Sequence, residues 1–214
     1  MKSVDASRRS SMLEWWDKAL FFYKFIRSPQ QIGSIFPSSE ALASQMTKPV
    51  DWLLAEAVAE LGSGTGVVTK HIRAKKQAHA AMLLFEKDTD MRRKLSYQYP
   101  DVFIGEDALL LYTTMQQQGL SQLDAVISGL PFAMFPFAVR ESILDTVEQS
   151  LKPNGLFVTF QYTLHMRKRL EERFTMEHIQ FVLWNLPPAF VYVCRKKPMG
   201  SMCAGIIKTS SFSR

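Results

Sequence analysis

The run Glu60-Leu61-Gly62-Ser63-Gly64-Thr65-Gly66 sets an acid and three glycines between an apolar stretch and a helical one, and a second acid, Glu86, closes the next apolar stretch, Ala81 to Phe85. Glycine lets a backbone turn sharply and approach a bound molecule with no side chain between them. A carboxylate at the end of a strand offers two acceptor oxygens, which suits the paired hydroxyls of a ribose. The two features together point to a nucleoside cofactor. The dinucleotide fingerprint requires its third glycine where Val67 stands, so a nicotinamide or flavin dinucleotide is disfavoured.

A G-x-G-x-G spacing preceded by an acid suits a cofactor with no pyrophosphate, whose amino-acid tail packs against the loop backbone. S-adenosylmethionine has that form. The expected cofactor set is Glu60, Gly62, Ser63, Gly64, Gly66, Glu86, Asp107, Ala108 and Ser128. In it, Glu86 takes the ribose hydroxyls and Asp107, in the run GEDA, the adenine amino group. The plain alternative makes Glu86 and Asp107 polar strand ends and the glycine loop a turn.

These residues need strands to hold them. Ala57 to Leu61 and Ala81 to Phe85 read as buried parallel strands with a helix, Val67 to Lys76, between them. Val102 to Ile104 is a short strand and Leu123 to Ser128 a fourth. A helix over Phe137 to Leu151 and the turn Lys152-Pro153-Asn154-Gly155 lead into a fifth, Leu156 to Gln161. His178 to Trp184 and Ala189 to Lys196 form a closing hairpin around Asn185-Leu186-Pro187-Pro188. The pattern predicts an α/β fold of the Rossmann-like class I methyltransferase layout. Its sheet is mostly parallel and seven-stranded with an antiparallel last strand, is covered on both faces, and carries its ligands at the carboxyl ends of the strands.

At 214 residues and 47% hydrophobic, the chain is long enough for one full core. The expected division is an N-terminal helical lid or membrane-contact segment (1–50), a methyltransferase domain (51–197) and a basic flexible tail (198–214). No secretory signal is expected, because Glu14, Asp17, Lys18 and Lys24 interrupt the first apolar stretch. No stretch approaches the roughly 18 apolar residues of a membrane span. The two cysteines, Cys194 and Cys203, suggest neither a metal site nor a disulfide framework, so no metal is expected and a reducing cytoplasm is the default. The formal net charge of +6 fits either lipid phosphate or nucleic acid and does not choose between them.

In the N-terminal segment Met12, Trp15, Trp16, Ala19, Phe22, Tyr23 and Ile26 fall at helical spacing and form one apolar stripe. Phe21 and Phe25 lie on the opposite side among Asp17, Lys18 and Lys24, flanked by Arg8, Arg9 and Arg27. Aromatic residues on the charged side of a helix suit an anionic membrane surface, with Trp15, Phe21, Phe22 and Phe25 as the contact. The rival readings are a helix packed on the core and a dimer contact. Ser38 and Ser39 precede a helix from Glu40 to Met46, either as caps or as part of a lid whose amides face a substrate phosphate.

The acceptor should be chosen by the loop Ser128-Gly129-Leu130-Pro131-Phe132. Adenine-amino methyltransferases carry Asn-[Leu/Ile]-Pro-[Tyr/Phe] here, and the asparagine holds the base amine. Gly129 removes that amide, which makes nucleic acid an unlikely partner and assigns Gly129, Leu130, Pro131 and Phe132 to another acceptor. Asn185-Leu186-Pro187-Pro188 mimics the motif on the wrong connection and reads as a rigid turn.

The segments Ile32 to Ser39, Glu60 to Lys70, Glu86, Ser128 to Phe132, Leu151 to Thr163 and Asn185 to Lys196 together make the chain resemble the bacterial phospholipid N-methyltransferase family from Phe25 to Lys196. The resemblance implies stepwise methylation of phosphatidylethanolamine at the inner face of the cytoplasmic membrane. The implied partners are a phospholipid substrate and an anionic bilayer, with an N-terminal amphipathic helix making the contact. The chemistry asks mainly for placement of a neutral amine and exclusion of water. Tyr162 and His165, just beyond the fifth strand, are the candidates to orient the head group or relay its proton. The alternatives are a ribosomal RNA adenine dimethylating enzyme and a catalytically silent lipid-binding scaffold.

Overall fold

A computed structural model describes residues 37–185 and 187–198, with side chains described from Glu40 onward. The N-terminal stripe and its Trp15, Phe21, Phe22 and Phe25, Leu186 in the hairpin turn, and the basic tail from residue 199 lie outside the described residues, as do the side chains of Ser38 and Ser39.

Seven strands form one sheet in the order β3-β2-β1-β4-β5-β7-β6. They are β1 (Ala57–Leu61), β2 (Ala81–Phe85), β3 (Phe103–Gly105), β4 (Leu123–Ser128), β5 (Leu151–Gln161), β6 (Phe174–Val182) and β7 (Ala189–Lys196). β7 runs antiparallel to β5 on one side and to β6 on the other, and the other pairings are parallel. All of β1 is buried, as expected for a parallel strand covered on both faces. The strand order reverses between β1 and β4, so a crevice opens at their carboxyl ends.

The described residues contain six α-helices, numbered in chain order: α1 (Pro37–Thr47), α2 (Val67–Lys75), α3 (Thr89–Gln98), α4 (Leu111–Gln117), α5 (Phe137–Ser150) and α6 (Arg167–Arg173). Met46, Ile72 and Leu95, from α1, α2 and α3, pack with Val58, Leu84 and Val158 on one face of the sheet. Leu111, Ile143 and Leu170, from α4, α5 and α6, pack with Leu61, Phe85 and Phe157 on the other. α1 therefore joins the core although it precedes residue 50. The hydrogen bond between His71 Nε2 and the Glu40 carboxyl, at 2.6 Å, fastens it to α2. The hydrogen bond from His71 holds the Glu40 carboxyl below its ordinary value, against the opposing effect of burial.

The structure departs from the sequence reading in places that have physical causes. Lys152 to Gly155 do not end a strand: Leu151 already pairs with Leu123, and the register shifts before Ala125 meets Leu156. The expected turn is thus a bulge within β5, with Asn154 at φ 63°. β6 begins at Phe174 rather than His178 and ends at Val182 rather than Trp184. Helices α3, α4 and α6 carried little signal. α3 buries only Leu95 and α6 only Leu170, so the periodic apolar pattern that marks a helix is almost absent from both.

Asp124 joins the starts of two strands. Its Oδ2 accepts the backbone N–H groups of Glu56 and Ala57, each at 2.8 Å, and its other oxygen pairs with Lys152. Burial pushes the Asp124 carboxyl up, but Lys152 and the two backbone donors outweigh it and leave it below the ordinary carboxylate value. Asp124→Ala should cost about 1–3 kcal/mol in urea denaturation at neutral pH, and Asp124→Asn less, because the amide keeps an acceptor. With the folded value lowered, this stabilisation is complete above about pH 5 and disappears as pH falls through the folded value. The wild-type and Asp124→Ala curves should therefore converge in acid.

Candidate functional site

The glycine loop between β1 and α2 is built on backbone carbonyls of its neighbours. Gly62 and Ser63 donate to the Phe85 carbonyl at 2.8 and 3.1 Å, and Gly66 turns back to the Ser63 carbonyl at 2.9 Å. Gly62, Gly64 and Gly66 all have positive φ, at 74°, 56° and 84°, a region that side-chain-bearing residues rarely enter. At Gly62 a Cβ would also stand 2.9 Å from Leu130 Cδ2. The loop therefore lies directly against the loop that follows β4.

Glu86 is buried at the end of β2. Its Oε2 accepts the Gly64 N–H at 2.6 Å and its Oε1 the Asp88 N–H at 2.9 Å. It thus holds the central glycine in place and shapes the turn into α3. Arg92, one turn into α3, donates to the Glu86 and Lys87 carbonyls at 2.9 and 3.1 Å and pairs with Glu106. Glu60, also buried, accepts the Thr69 hydroxyl at 2.6 Å and so ties β1 to α2.

Asp107 caps the short 3-10 turn Ala108–Leu110 by accepting the Leu109 N–H at 3.0 Å, and it lies 3.6 Å from the Lys87 ammonium. Ala108 is buried beside it. Ser63 is fully buried, and its hydroxyl has no hydrogen-bond partner. A buried polar group without a partner is costly, and the tail of an amino-acid-bearing nucleoside would supply one. The positive-φ cradle, the Ser63 hydroxyl and the Glu86 carboxylate therefore fit S-adenosylmethionine.

The loop after β4 is held from both ends. Gly129 donates to the Leu61 carbonyl at 2.8 Å, and Leu130 N–H to the Ser128 hydroxyl at 3.2 Å. Gln161, buried at the end of β5, donates from Nε2 to the Leu130 carbonyl at 3.0 Å and accepts the Ala133 N–H at Oε1 at 3.4 Å. Gln161 was not singled out from the sequence; the only signal is an amide ending the apolar run LFVTFQ. Arg92 was missed likewise, because it acts through backbone carbonyls that no spacing reveals.

Phe132 stands apart from its expected role as an acceptor contact. It is fully buried, with edge-on ring contacts to Phe135 at 6.2 Å and Phe157 at 6.1 Å. It anchors the loop from within the core, and the half-buried Pro131 beside it is the more accessible residue. The two candidates beyond β5 are not brought together. Tyr162 is half-buried and packs edge-on against Phe160 on the α1 side of the sheet, whereas His165 is exposed in the 3-10 turn Leu164–Met166. The Tyr192 hydroxyl donates to the Thr163 carbonyl at 2.9 Å and fixes the chain between them. Burial raises that hydroxyl to about 12, so it stays a donor across the working range.

The Asn185 side chain donates to the Pro187 carbonyl at 2.7 Å, which makes this run the rigid turn expected. Among the described residues no group of three His, Cys, Asp or Glu side chains is placed to hold a metal ion. None of their helices is long and apolar enough to cross a membrane.

No family model matches the chain. Over 186 residues it is 34% identical to an ornithine lipid N-methyltransferase from Singulisphaera acidiphila, a match covering 84% of this chain and 96% of that protein. Among solved structures, N-methyltransferase NodS from Bradyrhizobium japonicum WM9 aligns with a TM-score of 0.62 at 10% identity, over 75% of this chain and 97% of that one. The same protein in complex with S-adenosyl-L-homocysteine aligns with a TM-score of 0.61 at 11% identity, over 75% and 88% of the two chains. At such low identity these alignments speak for the fold.

Gln161→Leu should separate the two loops. It removes both amide bonds to the β4 loop while leaving the glycine loop intact. Stability should fall by about 1–3 kcal/mol and methyl transfer should fall with it, while cofactor affinity measured by calorimetry on the folded variant stays within about twofold.

Proposed function

The chain belongs to the bacterial lipid N-methyltransferase family, and from that premise we propose that it transfers methyl groups from S-adenosylmethionine to the primary amine of a membrane-lipid head group. The single observation that carries this reading is the 34% identity, over nearly the whole of its length, to a protein named for methylating ornithine lipid. Ornithine lipid is accordingly the first acceptor to test. Phosphatidylethanolamine is the second, supported by the motif resemblance, and both offer a primary alkyl amine. The inner face of the cytoplasmic membrane is the proposed place of action.

Bound S-adenosylmethionine supplies a methyl group on a sulfonium, a good electrophile that needs no metal-assisted activation. The chain has to seat it, expose a neutral amine to it and keep water away. The glycine backbone and Ser63 take the amino-acid tail and Glu86 the ribose hydroxyls; a carboxylate offers about four lone-pair sites, so accepting hydroxyls is compatible with holding Gly64. Asp107 and Ala108 stand on the adenine side. Gly129 and Leu130, with Pro131, border the acceptor.

A free alkyl ammonium titrates near 10, by analogy with the lysine value of about 10.4, so the amine arrives charged and must shed a proton. Desolvation beside the apolar side chain of Leu130 would favour the neutral form. Tyr162 would orient the head group, and His165, being exposed, would pass a released proton directly to solvent.

Two measurements test the reading. Extracts of cells expressing the chain and fed labelled methionine should carry label in the lipid phase, in ornithine lipid or phosphatidylethanolamine derivatives resolved by thin-layer chromatography. Label confined to RNA would overturn it in favour of the nucleic-acid alternative. In calorimetry Glu86→Ala should weaken S-adenosylmethionine binding by about 30- to 1000-fold, the equivalent of roughly 2–4 kcal/mol for two hydrogen bonds to a charged acceptor. Unchanged affinity in a folded variant would remove Glu86 from the cofactor site.

A further inference from the structure

We propose that the tip of the β6–β7 hairpin is a bilayer-inserting edge, a membrane contact distinct from the N-terminal segment. The proposal rests on the lipid reading above for its partner, and on four independent features of the fold for its place.

The first feature is composition. Residues 179–194, IQFVLWNLPPAFVYVC, contain no charged side chain, whereas an exposed edge strand is normally protected by charge, lysine above all. The second is exposure. Phe181, near the end of β6, is 52% exposed, and Leu183 and Trp184, at the start of the turn that the Asn185 side chain holds closed, are 63% and 82% exposed. Rigid tryptophan, leucine and phenylalanine side chains directed to the outside match the aromatic and aliphatic composition of a membrane–water interface.

The third feature is direction. β6 is parallel to β5 in sense, since each pairs antiparallel with β7. Its carboxyl end therefore points the same way as those of β1, β2 and β4, where the glycine loop and the β4 loop stand. β6 is also the edge of the sheet, and its exposure is asymmetric. Thr175, Glu177 and His178 occupy the end away from the site, and the apolar residues occupy the end beside it. Edge strands are usually protected by charge, and here the protection stops where a membrane plane would begin.

The fourth feature is reach. Three strand spacings separate β4 from β6, about 14 Å at roughly 4.8 Å each. A bilayer contacting the hairpin tip would thus bring head groups to within about that lateral distance of the Gly129 loop. Leu164, 46% exposed in the turn after β5, continues the apolar rim toward that loop. Exposed Lys168 adds a positive charge with no ion-pair partner among the described residues, suited to a lipid phosphate.

The test uses the full chain and the variant Leu183→Ser/Trp184→Ser. It uses vesicles of phosphatidylglycerol and phosphatidylcholine, which carry no methylatable amine, so that binding is read without turnover. Flotation should weaken by about thirtyfold, the loss expected from two partly buried apolar side chains, with melting temperature and S-adenosylmethionine affinity unchanged. On an amine lipid presented in vesicles the KM should rise, while turnover of a short-chain amine lipid below its micelle concentration is preserved.

As a second readout that needs no change of stability, a dye on Trp184→Cys in a Cys203→Ser background should shift to the blue when vesicles are added. Leu183→Phe/Trp184→Phe should float as the wild type does. Equal flotation of wild type and serine variant, or an unshifted dye, would overturn the proposal. So would an equal loss of turnover on the monomeric lipid, which would make the tip part of the acceptor pocket. Light scattering that shows the variant dissociating a wild-type dimer would overturn it in favour of a self-interface. Hairpin-dependent flotation by a protein that methylates no lipid would support the docking edge and overturn the substrate reading instead.

Discussion

A buried carboxylate carries the geometry of this molecule. Glu86 receives the amide of Gly64 on one oxygen and that of Asp88 on the other, so one side chain sets both the glycine loop that follows β1 and the turn that follows β2. Two peptide N–H groups aimed at a charge are strong, short hydrogen bonds, and in a buried setting the cost of losing one is high. The loop needs such an anchor because its own backbone has little preference to be where it is. Three glycines with positive φ give shape without stiffness, and stiffness comes from the carboxylate and from Arg92, which pins the carbonyls of Glu86 and Lys87.

The second consequence of that placement is contact between the cofactor loop and the acceptor loop. A methyl group at Gly62 would press on the Leu130 side chain, which lies against it, and Leu130 is held by Gln161 through its carbonyl and by Ser128 through its N–H. The two loops thus meet at Leu130, so the cofactor and the acceptor are set against each other without any long path. For methyl transfer this matters, because the rate of an in-line displacement depends on the relative placement of two bound partners more than on any single catalytic group. The enzyme is an S-adenosylmethionine-dependent N-methyltransferase of the class I fold, and its chemistry is placement.

The basic character of the chain has less to do with ligands than its net charge suggests. The charge-rich segment after β5 folds into α6, where Arg169 pairs with Glu141 and Glu172, and Arg173 with Asp145 and Glu148. The pairs to Glu141, Asp145 and Glu148 fasten α6 to α5, whereas Arg169–Glu172 lies within α6, and the Arg140 and Arg169 guanidinium groups lie over the Phe137 ring. Partly exposed pairs of this kind contribute little individually, but here they set the packing of a helix that buries a single leucine.

What the sequence determined by itself was whatever depends on local pattern. Continuous apolar runs marked β1, β2 and β4, glycine spacing marked the loop, and the acid closing β2 marked Glu86, because each is a short-range statement about backbone conformation or burial. The bulge in β5, the early start of β6 and the weakly amphipathic α3, α4 and α6 were decided by tertiary pairing. A turn signal such as Lys152 to Gly155 is compatible with either a chain reversal or a bulge until a neighbouring strand imposes the register. The same holds within the site. Phe132 was assigned to the acceptor on its loop position, yet the ring falls into the core beside Phe157, and Gln161 and Arg92 act on carbonyls that only the folded chain brings within reach. Residue type and spacing named the cofactor chemistry because they set what the backbone can do locally; which side chains clamp the loops is settled by contacts between residues distant in sequence.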